Sequence, residues 1–308
     1  MRQFPAQVGA RTFNPERAMK MRKAAAAFIL ATLVLTVGCA SRATPRLAYT
    51  AGMGGAEEVY LHDIETGRTQ QLTFTRGLKE SPAFSADGRW VLYACDSDGD
   101  WEIYRVPAEG GDTEQLTVNL TADRFPAPGI RDESVVYMAS DTAGPLLRHL
   151  DEPGDPATTT DVSPDLEREP DALVLDRTGS LAALVYAGDI HVVNLRSNLF
   201  RRLVEGPADD VDPAFTADSR ALVFASDRGG GYDLYVVDLE SGEPVRLTDN
   251  AGNERHPVVD ADNQTVYFYG ELGGRSGVYR RAETPVGAPP PVLILDLEGE
   301  LTGLALWP

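Results

Sequence analysis

The sequence is poor in the residues on which several protein classes depend. Its 308 residues include only two cysteines and four histidines, which excludes a disulfide scaffold and gives no histidine cluster with metal-ligand spacing. Basic residues are also few, because 28 Lys and Arg stand against 47 Asp and Glu, a net charge of −19 at pH 7. Such a field repels phosphate backbones, so nucleic acid is not expected as a partner.

The apolar run at residues 24–37 has 14 residues, too few for an ordinary membrane-spanning helix, which needs about 20. The basic residues Lys20, Arg22 and Lys23 precede it. This order predicts a secretory signal peptide over residues 19–38. Residues 1–18 come before it, and we interpret them as an N-terminal extension of the kind that a misassigned start codon produces.

The signal peptide ends in a segment, residues 35–39, that resembles the lipobox of bacterial lipoproteins. The resemblance implies that Cys39 is lipidated and becomes the first mature residue, with residues 39–45 as a short tether. The alternative is an ordinary thiol beside a conventional cleavage site. Ala40 and Ser41 follow where an aspartate usually signals inner-membrane retention, which favours the outer membrane, facing the periplasm. Cleavage removes six basic residues and one acidic residue, so the net charge becomes −24.

What the chain does have is a soluble globular composition, 43% hydrophobic and 24% charged, and an internal repeat. Prolines lead apolar segments at steps of 44, 44, 43 and 44 residues. A second landmark, in most copies a tyrosine, keeps the same step. The prolines are Pro82, Pro126, Pro170, Pro213 and Pro257, and the second landmarks are Tyr60, Tyr104, Arg148, His191, Tyr235 and Tyr279.

Each unit is predicted to form four short strands separated by Asp-Gly and Gly-Gly turns. The second strand is apolar on both faces, as at residues 91–94 and 266–269, so it is covered on both sides. The first unit lacks a leading strand, and the apolar C-terminal strand at 301–307 lacks followers. The fold class is therefore all-β: a six-bladed β-propeller of four-stranded blades over residues 46–308, closed by N- and C-terminal strands in one blade.

Two repeats, residues 81–104 and 212–236, are similar to the WD-like repeat of TolB-type propellers. The resemblance implies a propeller of the cell envelope. TolB proteins carry an α/β domain before the propeller, and the residues between Cys39 and Arg46 are too few for one. The family's partnership with the peptidoglycan-associated lipoprotein is therefore not carried over.

Residues that enter the first strand of each predicted blade are expected to gather at one mouth of the central channel. Three arginines at this position form a candidate cationic ring for a carboxylate or an acidic protein segment. The alternative is an ordinary belt of ion pairs with neighbouring acids. The candidate binding residues are Arg124, Arg168, Arg255, Glu169, Asp212 and His256.

Asp96, Asp98 and Asp100 alternate with small residues, a pattern that offers hard oxygen ligands for calcium. The same segment aligns with the hairpin turn at 226–230, so an ordinary turn is the alternative. No other cofactor is predicted, and no nucleophile elbow, phosphate loop or Cys-His pairing is present.

These patterns predict a lipid-anchored envelope protein whose propeller is a non-catalytic scaffold. Its expected partner is an envelope protein or an anionic ligand at the channel mouth, and the lipid anchor joins it to the membrane. Two alternatives stay open. One is a periplasmic lyase or hydrolase with its site in the channel, and the other is a sensor of small molecules.

Overall fold

The structure is a computed structural model. It describes residues 44–52, 57–97, 99–129, 131, 133–142, 144–162, 166, 168–249, 252–282, 289–299 and 301–307. Cys39, most of the predicted tether, and the segments 1–18 and 19–38 lie outside the described residues. Within the described part, no helix is long and apolar enough to cross a membrane.

The described residues form strands joined by short turns, together with one 3-10 helix, Pro156–Thr158. In chain order the strands are Arg46–Gly52 (β1), Glu57–Asp63 (β2), Arg68–Gln71 (β3), Lys79–Phe84 (β4), Trp90–Cys95 (β5), Glu102–Pro107 (β6), Glu114–Gln115 (β7), Ala122–Pro128 (β8), Val135–Asp141 (β9), Gly144–Leu150 (β10), Thr159–Asp161 (β11), Ala172–Leu175 (β12), Leu181–Tyr186 (β13), Asp189–Asn194 (β14), Leu199–Val204 (β15), Asp210–Phe215 (β16), Ala221–Ser226 (β17), Asp233–Asp238 (β18), Pro244–Arg246 (β19), Glu254–Val259 (β20), Thr265–Leu272 (β21), Arg275–Ala282 (β22), Val292–Asp296 (β23) and Leu301–Trp307 (β24).

The strands build six antiparallel sheets of four strands each, the blades of a propeller. Blade 1 has the order β24-β1-β2-β3, and blades 2 to 6 follow as β4–β7, β8–β11, β12–β15, β16–β19 and β20–β23. Each first strand contacts the first strand of the next blade, in the order β4, β8, β12, β16, β20 and β24. The contact between β24 and β4 closes the ring. The all-β, six-bladed, four-stranded prediction is confirmed.

The core lies between the blades. Six buried clusters correspond to the six interfaces, and most of their side chains come from the second and third strands of each blade. Tyr93 and Phe224 are representative, at 1% and 0% exposure in the middle of β5 and β17. Because both faces of these strands meet a neighbouring blade, their sequences are apolar throughout and do not alternate.

Ring closure joins the two ends of the described chain. β24 pairs antiparallel with β1, and Arg46 lies opposite Trp307. Thr302 donates a hydrogen bond from Oγ1 to Thr50 Oγ1 over 3.0 Å. The indole of Trp307 then packs on Phe84 of blade 2, at 6.1 Å between ring centroids. The prediction that terminal strands complete one blade is confirmed.

Four of the first strands contain a β-bulge formed by the repeated proline and the residue before it. Proline has no N–H to donate, so pairing is interrupted there. The residue before each proline has a left-handed φ of 51–53°, an uncommon conformation for a residue with a Cβ. These residues are Ser81, Phe125, Asp212 and His256. The first strands begin before the repeated proline and not at it: β4 starts at Lys79, three residues before Pro82.

The fourth blade departs from the predicted register. The repeat placed Pro170 at the first-strand position, but β12 begins at Ala172, and Val174 pairs with Ala183 as Ala83 pairs with Leu92 in blade 2. Leu173 therefore stands where the other blades have proline, and β12 carries no bulge.

Two changes of length that compensate each other explain the shift. In blade 3 the connection between the third and fourth strands is longer than in blade 2. Asp161 pairs with Arg148 in blade 3, whereas Gln115 pairs with Tyr104 in blade 2, and this second pair is closer together along the chain. In blade 4 the second and third strands are joined by the two-residue turn Ala187-Gly188. The extra residues of one blade are removed in the next, so the spacing of the flanking prolines stays unchanged.

Candidate functional site

A channel runs along the axis of the propeller and holds a cavity of about 450 Å³, within the size range of ligand pockets. Residues from all six first strands line it. At one end the first strands begin, and we call this end the entry mouth, defined by Glu80, Arg124, Asp212, Arg255 and His256. The opposite face carries the turns between first and second strands, and we call it the turn face.

Arg124 joins blades 2 and 3 at the entry mouth. Its Nε and Nη2 donate to Oε1 and Oε2 of Glu80 over 2.6 and 2.7 Å, a forked pair. Its Nη1 lies 3.5 Å from Glu169 Oε1. The guanidinium also lies over the Trp101 ring, 5.0 Å from the centroid. The hydrogen bond to Glu80 raises the pKa of Arg124 against the opposing effect of burial.

Asp212 is the second centre of the mouth and joins blades 5 and 6. Its Oδ2 accepts from Arg255 Nε over 2.6 Å and from the backbone N–H of His256 over 3.1 Å. His256 Nδ1 lies 3.5 Å from Asp212 Oδ1. Burial opposes ionisation of Asp212, but His256 and Arg255 outweigh it, so the pKa is lowered. Arg255 also lies over the Tyr232 ring, 4.4 Å from its centroid.

Arg168 is placed differently from the other two arginines. It precedes β12 by four residues because of the shifted register of blade 4, whereas Arg124 and Arg255 lie within the first strands β8 and β20. Its guanidinium is exposed and lies over the Tyr186 ring, 5.2 Å from the centroid. Among the described residues, no acid forms an ion pair with Arg168.

The entry mouth is therefore lined by two groups of ion pairs, one centred on Arg124 and the other on Asp212. Arg124 with Glu169, and Arg255 with Asp212 and His256, are brought together, while Arg168 lies apart. Glu80 was absent from the candidate list, although it occupies the same repeat position as Arg124 and Arg255. Arg177 also lines the channel, at the turn face. It belongs to the turn between β12 and β13, and the equivalent turns of blades 2 and 5 have Ala86 and Ala217 at this position, so the repeat carried no signal for it.

The predicted calcium segment takes the form of a hairpin turn in its described part. Asp96 Oδ1 accepts from the backbone N–H of Leu78 over 2.6 Å, and Asp227 accepts equivalently from Asp209 over 2.9 Å in blade 5. Asp98 lies outside the described residues. The described residues hold no group of three or more His, Cys, Asp or Glu side chains that could bind a metal ion. Calcium at Asp96, Asp98 and Asp100 stays a prediction.

A pair of buried carboxylates lies between blades 2 and 3. Glu102 and Asp123 are 1% and 0% exposed. Asn119 bridges them, since its backbone N–H donates to Glu102 Oε1 and its Nδ2 donates to Asp123 Oδ2, each over 2.7 Å. Burial raises the pKa of Glu102 to about 7 and also raises that of Asp123. The same repeat positions hold Glu58 and Lys79 between blades 1 and 2, an ion pair of 3.4 Å.

Sequence comparison finds two proteins that match this chain over part of their length. No model of a protein family matches the chain. Atu1656 of Agrobacterium fabrum, an uncharacterized protein, is 32% identical over 84 residues, which are 27% of this chain and 29% of that protein. YuxL of Bacillus subtilis, an uncharacterized peptidase, is 27% identical over 171 residues, 54% of this chain and 25% of that protein. The chain thus matches less than a third of the length of either relative.

Solved structures share the whole propeller. TolB from Acinetobacter baumannii matches with a TM-score of 0.67 and 16% identity, over 85% of this chain and 66% of its own. A protein from Agrobacterium tumefaciens, provisionally named TolB, matches with a TM-score of 0.64 and 16% identity, over 84% and 91% of the two chains. At these identities the likeness concerns the fold alone. In its fold, the protein is a TolB-like six-bladed β-propeller.

Proposed function

We propose that this protein is a lipid-anchored scaffold of the bacterial envelope, whose propeller binds an acidic protein segment or an anionic ligand without catalysis. Residues 19–38 are the signal peptide, residues 1–18 precede it, and lipidated Cys39 leads the tether 39–45 before the propeller 46–308. The anchor lies in the outer membrane and the propeller in the periplasm. The basic segment, the apolar run and the lipobox-like residues support this address.

The observation that carries the proposal is the charge arrangement of the entry mouth above an open channel. The side chains of Arg124 and Arg255 are 30% and 32% exposed, so each is partly open to solvent. Forked guanidinium contacts are suited to carboxylates.

One of the contacts within the mouth is weak enough to be exchanged. Arg124 Nη1 is 3.5 Å from Glu169, well beyond the roughly 2.8 Å of a strong charge-assisted hydrogen bond. An incoming carboxylate takes the place of Glu169 at little cost, because the forked pair with Glu80 holds Arg124 in position. Arg168, with its exposed guanidinium, adds long-range attraction in a chain that is otherwise acidic.

The experiment is crosslinking of the full lipoprotein in its native envelope, followed by purification and mass spectrometry. The test variant combines Arg124→Glu, Arg168→Glu and Arg255→Glu. The matched control is Arg131→Glu, since Arg131 is 76% exposed and pairs with Asp151 away from the mouth. We expect one near-stoichiometric protein with wild type and control that is lost with the triple variant.

Retention of that protein by the triple variant contradicts a mouth-directed binding role. Because Arg124 and Arg255 each hold an ion pair, thermal unfolding is recorded alongside to verify the fold. The single variant Arg168→Glu disturbs no ion pair among the described residues and so tests the electrostatic contribution even where the triple variant unfolds.

A second candidate function is hydrolysis in the channel. It is favoured by Asp212 beside His256 in the cavity wall, since a carboxylate that orients an imidazole is a common element of general-base sites. The matched peptidase from Bacillus subtilis is consistent with it. Turnover of a peptide library that His256→Gln abolishes, with partner binding unchanged, would support this candidate over the scaffold.

A further inference from the structure

The described chain enters the propeller at the turn face. Thr44 Oγ1 donates to Asp63 Oδ2 over 3.3 Å, beside the loop that joins β2 and β3. Arg46 Nη2 donates to the carbonyl of Gly88 over 2.9 Å, and Gly88 belongs to the turn between the first and second strands of blade 2. These contacts place the start of β1 at the end of the blades opposite to the entry mouth.

The two faces are separated by the length of the strands. In blade 2 the chain runs from Glu80 at the entry mouth to Ala86 at the turn face, which is roughly 20 Å at the rise of a β-strand. β1 is also the second strand outward from the channel, with β2 and β3 outside it. A segment that passes around the blade from Thr44 to the entry face crosses these two strands first, about 10 Å more.

The predicted tether is too short for that path. From Thr44 back to Cys39 there are five residue steps, which span at most about 18 Å when fully extended. The path to the entry face is roughly 30 Å. A lipid on Cys39 can therefore reach a bilayer beneath the turn face but not one against the entry mouth.

We infer that the propeller stands with its turn face toward the anchoring membrane and presents the entry mouth to the opposite side. This rests on the proposed lipid anchor and extends it. The occupant of the mouth is then an acidic segment of a protein that approaches from the side away from the membrane. Anionic headgroups of the anchoring bilayer are excluded as its ligand, because Arg124 and Arg255 cannot reach them.

The inference is tested by energy transfer on the full lipoprotein in vesicles of phosphatidylethanolamine and phosphatidylglycerol. A donor dye is attached by maleimide to Ala86→Cys on the turn face or to Thr75→Cys in the entry-side connection that leads into β4, both exposed positions. Native Cys95 is buried, and burial raises the pKa of its thiol, so it does not compete for the dye. The acceptor is a headgroup-labelled lipid.

We expect higher transfer efficiency from position 86 than from position 75, in keeping with a difference in height of roughly 20 Å. Equal transfer, or higher transfer from position 75, overturns the orientation while leaving the anchor intact. Vesicle flotation with Cys39→Ser as control separates the two ideas. If the wild-type chain does not float with the vesicles, the lipid anchor and the orientation are both wrong. If the wild type floats, Cys39→Ser does not, and transfer is higher from position 86, the anchor and the orientation are both supported.

Discussion

Arg124 forms a bidentate pair with Glu80 across the boundary between blades 2 and 3. Its Nε and Nη2 donate hydrogen bonds to the two carboxylate oxygens over 2.6 and 2.7 Å. The two residues are 44 positions apart and occupy the same place in consecutive repeats. One repeat position thus supplies the anion in one blade and the cation in the next, so the contact closes the blade interface and shapes the entry mouth.

We expect Arg124→Gln to lower the free energy of unfolding by about 1–3 kcal/mol, because Glu80 is only 20% exposed and loses a charged partner. The double variant with Glu80→Gln should lose less than the sum of the two single variants. Urea unfolding of the four proteins measures this coupling. Arg131→Gln, on an exposed pair, serves as control and should cost no more than about 1 kcal/mol. Strict additivity contradicts the prediction.

The stability of the protein should fall as pH rises between about 4.5 and 7 through the buried carboxyl of Glu102. Its pKa is raised from 4.5 to about 7 by burial, so the folded state holds a proton that the unfolded chain has released. As pH increases, the uptake of this proton on folding contributes less to the free energy of unfolding. Above the folded pKa the cost is constant, about 3 kcal/mol.

Thermal unfolding of Glu102→Gln across this pH range measures the effect. The variant cannot ionise at this position, so its stability relative to wild type should increase as pH rises from 4.5 to 7 and then level off. A difference between variant and wild type that does not change with pH shows that Glu102 titrates normally in the folded protein.

Asp212→Asn should be destabilising mainly at neutral pH. The lowered pKa of Asp212 reflects its contacts with His256 and Arg255, which outweigh burial. Its contribution is therefore present above the unfolded value of 3.8 and disappears as pH falls through the folded pKa. We expect a loss of about 1–3 kcal/mol at pH 7 in chemical unfolding. A penalty of the same size at pH values well below 3.8 argues against a charge effect.

Gly88→Ala tests the ring closure. Gly88 has φ of +68°, and a Cβ built there overlaps the indole of Trp307. Gly67 has the same φ of +68° with nothing within 4 Å, so Gly67→Ala reports the backbone cost alone, about 1–2 kcal/mol. We expect Gly88→Ala to cost about 1–3 kcal/mol more than this control, from overpacking. Equal melting temperatures of the two variants show that Trp307 moves aside freely.

The entry mouth was predictable only in part. Arg124, Arg255 and Asp212 keep the register of the repeat, so alignment placed them together. Arg168 keeps the 44-residue spacing but does not lie at the entry mouth. The connection in blade 3 is longer and the turn Ala187-Gly188 in blade 4 has only two residues, so the two changes of length cancel in the overall spacing. Spacing along the chain cannot detect two compensating changes within one period.

The fold class, the number of blades and the way the ring closes follow from the order of the amino acids alone. The reason is that each blade buries both faces of its second strand. Every repeat therefore needs the same apolar pattern at that strand. Which charged side chains form ion pairs depends on the packing of the folded blades. The pairing of Arg124 with Glu80 and of Asp212 with Arg255 depends on how adjacent first strands align around the channel. That alignment is set by packing between blades and not by order along the chain.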